Sequence, residues 1–139
     1  MLVERIVADR WHGTRCEEHV IQGPSLEDFL RAFEALDANE RTMLCLYLSN
    51  GRQLTFGGGN GKYVVYASMS EDEFWNLISD AEENQVIILN AGGQEGDFPA
   101  RQIVDEERAR RAGIAFMRDG ELDESLRWER QKAVIEIKR

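Results

Sequence analysis

Two glycine-containing turns divide residues 42–68 into three short runs that are rich in β-forming residues. The runs are 42–49 (TMLCLYLS), 52–56 (RQLTF) and 62–68 (KYVVYAS). Asn50-Gly51 separates the first two runs, and this dipeptide favours a tight hairpin because both residues readily adopt positive φ. The glycine-rich segment 57–61 separates the second and third runs, where we expect a wide turn or a glycine bulge. The sequence therefore predicts an antiparallel meander of three strands.

Two amphipathic segments flank this meander. Apolar side chains recur at spacings of three and four over 26–37, directly after Ser25, which is a good N-cap residue. A second helix is predicted over 105–118, with acidic residues in its first turn and Gly120 beyond its end. Each segment has one apolar face, so we expect both helices to pack against the sheet.

Shorter segments complete the prediction. Further strands are expected at 1–8, 16–22 and 86–90, and the segment 133–139 could form a last one. Ser70 followed by Glu73 has the pattern of a capping box, which predicts a short helix carrying Phe74, Trp75, Leu77 and Ile78. Residues 91–98 are expected to form a loop that ends at Pro99.

These elements predict an α+β fold in a single domain, residues 1–139. A mostly antiparallel sheet with the meander at its core has two main helices packed against it. The apolar positions of these elements should form one core, which we expect to contain Phe29, Leu30, Phe33, Leu46, Leu48, Val65, Ile88 and Phe116.

The charge balance limits the partners that we expect. The chain has 26 acidic and 17 basic residues, a net charge of −9. Proteins that bind a nucleic-acid backbone or an anionic membrane need a basic surface, so neither partner is expected. A basic protein would instead be attracted to this chain. The first ten residues, MLVERIVADR, lack the apolar core of a signal peptide, which favours a cytoplasmic location.

The motifs of catalysis and cofactor binding are missing from the sequence. The glycines of 57–61 have neither the spacing of a P-loop nor a helix after them. His12 and His19 have no further ligand at zinc-like spacing, and Cys16 and Cys45 are expected to be buried free thiols. We therefore predict no catalytic residue, no metal and no organic cofactor.

Acidic residues near an aromatic side chain form a candidate partner-binding site. Glu71, Asp72 and Glu73 precede Trp75 in the sequence. Glu95 and Asp97, in the predicted loop, add two further carboxylates. An aromatic anchor surrounded by charges is a common source of binding energy for another protein. The alternative is that 71–73 only cap a helix and Trp75 fills the core.

The order of these features resembles a known family. Its landmarks are 54–61 (LTFGGGNG), 63–66 (YVVY), Pro99, Ala115-Phe116, Gly120 and 126–129 (LRWE). Over about residues 26–131 the chain is similar to the first-numbered immunity-protein family of bacterial polymorphic toxin systems. The resemblance implies a small cytoplasmic protein that binds a toxin encoded beside it, often a nucleic-acid deaminase, and it implies no catalytic residues. Residues 1–22 would then be a divergent N-terminal hairpin.

Three functions are consistent with these features. The leading one is an immunity protein, monomeric or homodimeric, that occludes the active site of its toxin. The first alternative is a small hydrolase that uses a carboxylate pair, which would require two acids in one pocket. The second is a homo-oligomeric structural module.

Overall fold

A computed structural model describes residues 3–81 and 85–131 of the chain. The strands in these residues are β1 (Val3–His12), β2 (Arg15–Gln22), β3 (Met43–Leu48), β4 (Gln53–Gly59), β5 (Lys62–Ser70), β6 (Glu73–Leu77), β7 (Val86–Asn90), β8 (Glu95–Pro99) and β9 (Trp128–Arg130). Seven of them form one antiparallel sheet in the order β2-β1-β3-β4-β5-β6-β9, and β7 and β8 form a separate hairpin. The predicted meander is the centre of this sheet.

Two helices cover one face of the sheet. The first, α1 (Leu26–Ala35), begins with a capping box, in which the Ser25 hydroxyl accepts from the Asp28 N–H and the Asp28 carboxylate accepts from the Ser25 N–H. The second, α2 (Glu106–Asp119), begins at the N-cap Asp105 and ends at Gly120 in the left-handed conformation. A short 3₁₀ turn (Ala100–Gln102) precedes α2. The predicted α+β class is confirmed.

The main core lies between the helices and this face of the sheet. Phe33 stacks on Tyr63 with ring centroids 5.0 Å apart and also contacts Phe29 and Phe56. The core predictions are confirmed for the buried side chains of Phe29, Phe33, Leu46, Leu48, Val65 and Phe116.

Two residues of the predicted core lie elsewhere. Leu30 is only partly buried, because it sits at the margin of the α1 face that packs on the sheet. Ile88 is 64% exposed, and the prediction for it was wrong. The β7–β8 hairpin packs through one side only, and Ile88 is on the other side, opposite Asp97.

The segment after Ser70 forms a strand and not the predicted helix. The Ser70 hydroxyl donates to the Asp72 carboxylate within a tight turn, instead of capping a helix. Residues Glu73–Leu77 then pair with both β5 and β9. Strand pairing on two sides outweighs the local capping pattern, because it satisfies the backbone N–H and C=O groups and buries Leu77.

Three boundaries also differ from the prediction. The segment expected as a loop, 91–98, contains most of β8. Glycines 57–59 belong to β4, so the turn that follows consists of Asn60 and Gly61. The strand suggested at 133–139 lies outside the described residues, although β9 ends three residues before it.

The N-terminal hairpin is built into the sheet. β1 lies between β2 and β3, and its side chains Val3 and Ile6 are buried in the main core. β2 is the edge strand, and all of its residues are exposed. The expectation of a buried thiol at Cys16 was therefore wrong, because Cys16 lies on this exposed strand next to the hairpin turn.

Candidate partner-binding surface

The second face of the sheet carries no helix in the described part of the chain, and we call it the open face. The strand register sets one row of its side chains side by side: Val20 on β2, Val7 on β1, Cys45 on β3, Thr55 on β4 and Tyr66 on β5. Neighbouring residues in each strand point into the core, as the burial alternation of β3 shows. Side chains of a strand point alternately to the two faces of the sheet, and both helices cover the same face. The side chains that point the other way therefore form the open face.

A trough of about 400 Å³ crosses the strands on the open face. Its floor is made of the small side chains Val7, Cys45 and Thr55. The aromatic side chains Tyr47, Tyr66 and Phe74 line it beside them. The remaining lining residues are Ala8, Asp9, Glu18, Met43, Gln53 and Ser68. Phe74 is 40% exposed and Tyr66 is 37% exposed. The trough thus presents aromatic surface to solvent.

The β7–β8 hairpin packs on the open face beyond one side of the trough. A Cβ atom added at Gly57 would lie 2.6 Å from the Cβ of Ala91, so this glycine allows the hairpin to approach the sheet closely. Leu89 packs on Val64 in a second, smaller core. At the hairpin turn, the ring of Trp11 fills the space that a side chain at Gly93 would need.

Asp9 joins the hairpin side of the trough to the sheet. Its carboxylate accepts from the backbone N–H groups of Thr42 (2.7 Å) and Met43 (2.9 Å), and from the Trp11 indole N–H (2.8 Å). The Thr42 hydroxyl donates to the same carboxylate and accepts from the Gly93 N–H at 2.9 Å. The carboxylate of Asp9 is therefore part of the scaffold.

The thiol and the two phenols of the trough are neutral at pH 7. Burial raises the pKa of the Cys45 thiol, whose sulfur accepts a hydrogen bond from the Thr55 hydroxyl. Burial also raises the pKa values of the Tyr47 and Tyr66 phenols. A protonated, half-buried thiol is a poor nucleophile, so Cys45 contributes packing and not chemistry.

Charged groups stand at the margin of the trough. The Arg5 guanidinium lies 4.3 Å from the centre of the Tyr47 ring. Glu18 lines the trough from the edge strand β2, directly opposite Asp9 on β1. The trough therefore has an acidic end at β1 and β2 and an aromatic end at β5 and β6.

The structure places the predicted acidic site outside this trough. Glu71 and Asp72 are exposed in the turn between β5 and β6. The Glu73 carboxylate accepts from the Trp75 indole N–H at 2.8 Å, and the half-buried Trp75 packs on the main core. The hydrogen bond to Glu73 satisfies the indole N–H of Trp75 at the edge of that core.

The other two predicted acids form a separate group. Glu95 and Asp97 are exposed on β8, where Asp97 pairs with Ile88. The β5–β6 turn is at the end of the sheet where Gln53 pairs with Ser68, whereas the hairpin packs near Gly57 at the other end. The structure therefore brings Glu71–Glu73 together with Trp75, but it does not bring them to Glu95 and Asp97.

Sequence reasoning missed the aromatic residues of the trough. Their signal was present in the alternation of 62–68 (KYVVYAS), in which Tyr66 is separated by one residue from each of Val64 and Ser68. The capping pattern at Ser70 places Phe74 on a helix, so its position opposite Ser68 on the open face could not be deduced.

A comparison with protein-family models identifies the family. The model described as Immunity protein Imm1 matches residues 17–130, which include most of β2 and the whole of β3, β4, β5 and β6. The chain belongs to the Imm1 family. No curated protein matches the chain. The Imm1 match begins within β2, earlier than the resemblance near residue 26.

Within residues 3–81 and 85–131, no group of three or more His, Cys, Asp or Glu side chains is placed to hold a metal ion. In the same part of the chain, no helix has the length and apolar character needed to cross a membrane.

Proposed function

We propose that this Imm1 protein binds a cognate toxin of a bacterial polymorphic toxin system in the cytoplasm and neutralises it by occluding its active site, without catalysis of its own. The observation that carries this proposal is the Imm1 match over residues 17–130. An aromatic trough without an activated nucleophile supports a role in binding, because exposed aromatic surface is typical of protein interfaces.

The charge supports a toxin that acts on nucleic acid, and we propose a deaminase. An enzyme of this kind needs a basic cleft for its substrate. A protein with a net charge of −9 is attracted to such a cleft and competes there with the nucleic acid. Nanomolar affinity, which is about −12 kcal/mol, would silence the toxin at low concentration.

We also propose that the acidic residues predicted from the sequence contact or steer the toxin. Glu71, Asp72 and Glu73 with Trp75 form one group, and Glu95 with Asp97 forms the other. Because these groups lie at different ends of the sheet, their shared effect is to extend the negative field around the protein. Such a field raises the association rate constant more than it slows dissociation.

The experiment uses the toxin domain encoded by the reading frame next to this gene. The purified chain should form a complex with it and abolish deamination of an oligonucleotide at a stoichiometric ratio. Bound chain should also prevent the toxin from binding that oligonucleotide, as occlusion of the active site requires. Absence of a complex would refute the proposal, and a complex that still binds the oligonucleotide would refute occlusion.

The contribution of the acidic turn is measured by stopped-flow association. The triple variant Glu71→Lys, Asp72→Lys, Glu73→Lys should associate more slowly than the native chain and depend less on salt concentration. The matched control reverses the exposed residues Glu34, Glu40 and Glu124 and changes the net charge by the same amount. An equal loss of rate in both variants would show that net charge, and not this turn, governs association.

A further inference from the structure

We propose that the trough on the open face receives a segment of the toxin that carries an apolar side chain and, further along, a lysine or arginine. This inference rests on the proposed function and names the contact within it. The apolar side chain would pack on Tyr66 and Phe74, and the basic side chain would reach Glu18 along Val7 and Cys45.

The aromatic end of the trough supplies the apolar contact. Tyr66 and Phe74 belong to adjacent strands, in neighbouring rows of the open face. Both are more than a third exposed, although large apolar side chains are ordinarily buried in a sheet of this size. Burying them against another protein would remove aromatic area from water, which is the main source of energy at interface hot spots.

The acidic end of the trough selects the charge of the partner. Glu18 is exposed on the edge strand, and among the described residues its carboxylate has no ion pair. Asp9 adds a second negative charge at this end, although its oxygen atoms already accept bonds from Thr42, Met43 and Trp11. Arg5, the basic group nearby, lies over Tyr47 at the other side. A cation on the partner therefore has a favourable place at Glu18.

The floor of the trough connects these two ends. Val7, Cys45 and Thr55 are small, so a chain segment can cross β1, β3 and β4 without a large side chain in its way. Adjacent strands are about 4.8 Å apart, and four such steps lead from β2 through β1, β3 and β4 to β5, so the path is roughly 19 Å, or about six extended residues. The apolar and basic side chains of the toxin segment should accordingly be separated by about four or five residues.

The test measures binding of the toxin domain to two trough variants by isothermal titration. Phe74→Ser should weaken binding about tenfold or more, the effect of removing a hot spot. Glu18→Gln should weaken it about fivefold and reduce its salt dependence. The matched controls Val86→Ser and Glu27→Gln change an exposed aliphatic residue on β7 and an exposed acid on α1, and both should stay within twofold of the native affinity.

Hydroxyl-radical footprinting tests the same contact without a substitution. In the complex, Phe74 and Tyr66 should be protected from labelling relative to the free chain. Two results would overturn the inference about the trough and leave the proposed function intact. In one, a complex forms and both trough variants bind normally; in the other, Phe74 and Tyr66 remain labelled in the complex. If Phe74 and Tyr66 are protected in the chain without toxin, and sedimentation velocity shows a dimer, the trough binds a second copy of this chain. That result would also overturn the inference.

Discussion

Thr42 donates two hydrogen bonds to Asp9, one from its backbone N–H at 2.7 Å and one from its hydroxyl. Thr42 is fully buried, and its hydroxyl also accepts from the N–H of Gly93. One hydroxyl group thus links β1, the start of β3 and the turn of the β7–β8 hairpin. The hairpin side of the trough depends on this residue.

Thr42→Val should therefore lower the free energy of unfolding by about 1–3 kcal/mol, the usual cost of leaving a buried polar group without its partner. Valine has nearly the same shape as threonine, so the loss should come from the hydroxyl. Urea denaturation measures the effect. Thr14→Val, at an exposed turn position, is the matched control and should change the stability by less than about 0.5 kcal/mol. Equal stability of the two variants would contradict the role of the Thr42 hydroxyl.

Gly59→Ala should destabilise the protein more than Gly61→Ala does. Both glycines have positive φ, which costs a residue with a side chain about 1–2 kcal/mol. A Cβ at Gly59 would also lie 2.6 Å from backbone atoms of Leu36, Asp37 and Ala38, whereas a Cβ at Gly61 would meet open space. Thermal unfolding of both variants separates the steric cost from the conformational cost, and equal melting temperatures would show that the segment after α1 shifts freely.

Gly113→Ala should be destabilising, although the same change stabilises most helices by about 1 kcal/mol. Gly113 is buried in α2, and a Cβ at this position would overlap the ring of Phe29 on α1. Overpacking of this kind costs about 1–3 kcal/mol. In a Phe29→Leu background the penalty should be smaller, so a double-mutant cycle in urea should give a coupling energy between the two sites. A stabilised single variant would refute the close packing of the two helices.

The stability contributed by Asp37 should depend on pH. Burial raises its pKa, but hydrogen bonds from the backbone N–H groups of Arg41, Asn39 and Glu40 outweigh burial and hold the pKa below its ordinary value of 3.8. A lowered pKa in the folded state means that the ionised carboxylate stabilises the fold above pH 3.8, and that this contribution is lost as the pH falls below it.

The measurement compares native protein and Asp37→Asn by urea denaturation between about pH 7 and about pH 2.5, a range that spans the titration of the carboxyl group. The native chain should be the more stable at neutral pH, because asparagine lacks the negative charge that the three N–H groups stabilise. The difference should shrink toward the acidic end. A difference that is constant over the whole range would show that the charge of Asp37 makes no contribution.

The parts of the fold that were predictable depend on local rules. Ser25 with Asp28, and Asp105 before α2, mark helix starts through bonds within one turn of chain. Asn50-Gly51 marks a hairpin in the same way. Ser70 and Glu73 carry an equally local pattern, but the backbone there pairs with Trp128–Arg130, more than fifty residues away, and no local rule contains that partner.

The trough was beyond sequence reasoning for a related reason. Val7, Cys45 and Tyr66 come from three strands, and they become neighbours only through the order in which β1, β3, β4 and β5 pair. Their exposure also depends on both helices lying on the other face. The acidic residues Glu71 and Asp97, by contrast, were conspicuous in the sequence, and the structure separates them.

The alternation of β3 has a consequence for how such a protein can change over time. Leu44, Leu46 and Leu48 hold the core, while Met43, Cys45 and Tyr47 face the trough. A mutation at Met43, Cys45 or Tyr47 alters the proposed contact surface and leaves the buried layer as it was. Because Gln53 on β4 and Tyr66 and Ser68 on β5 also line the trough and lie outside the main core, the chain can follow an altered partner through single substitutions at such positions while the buried residues maintain its stability.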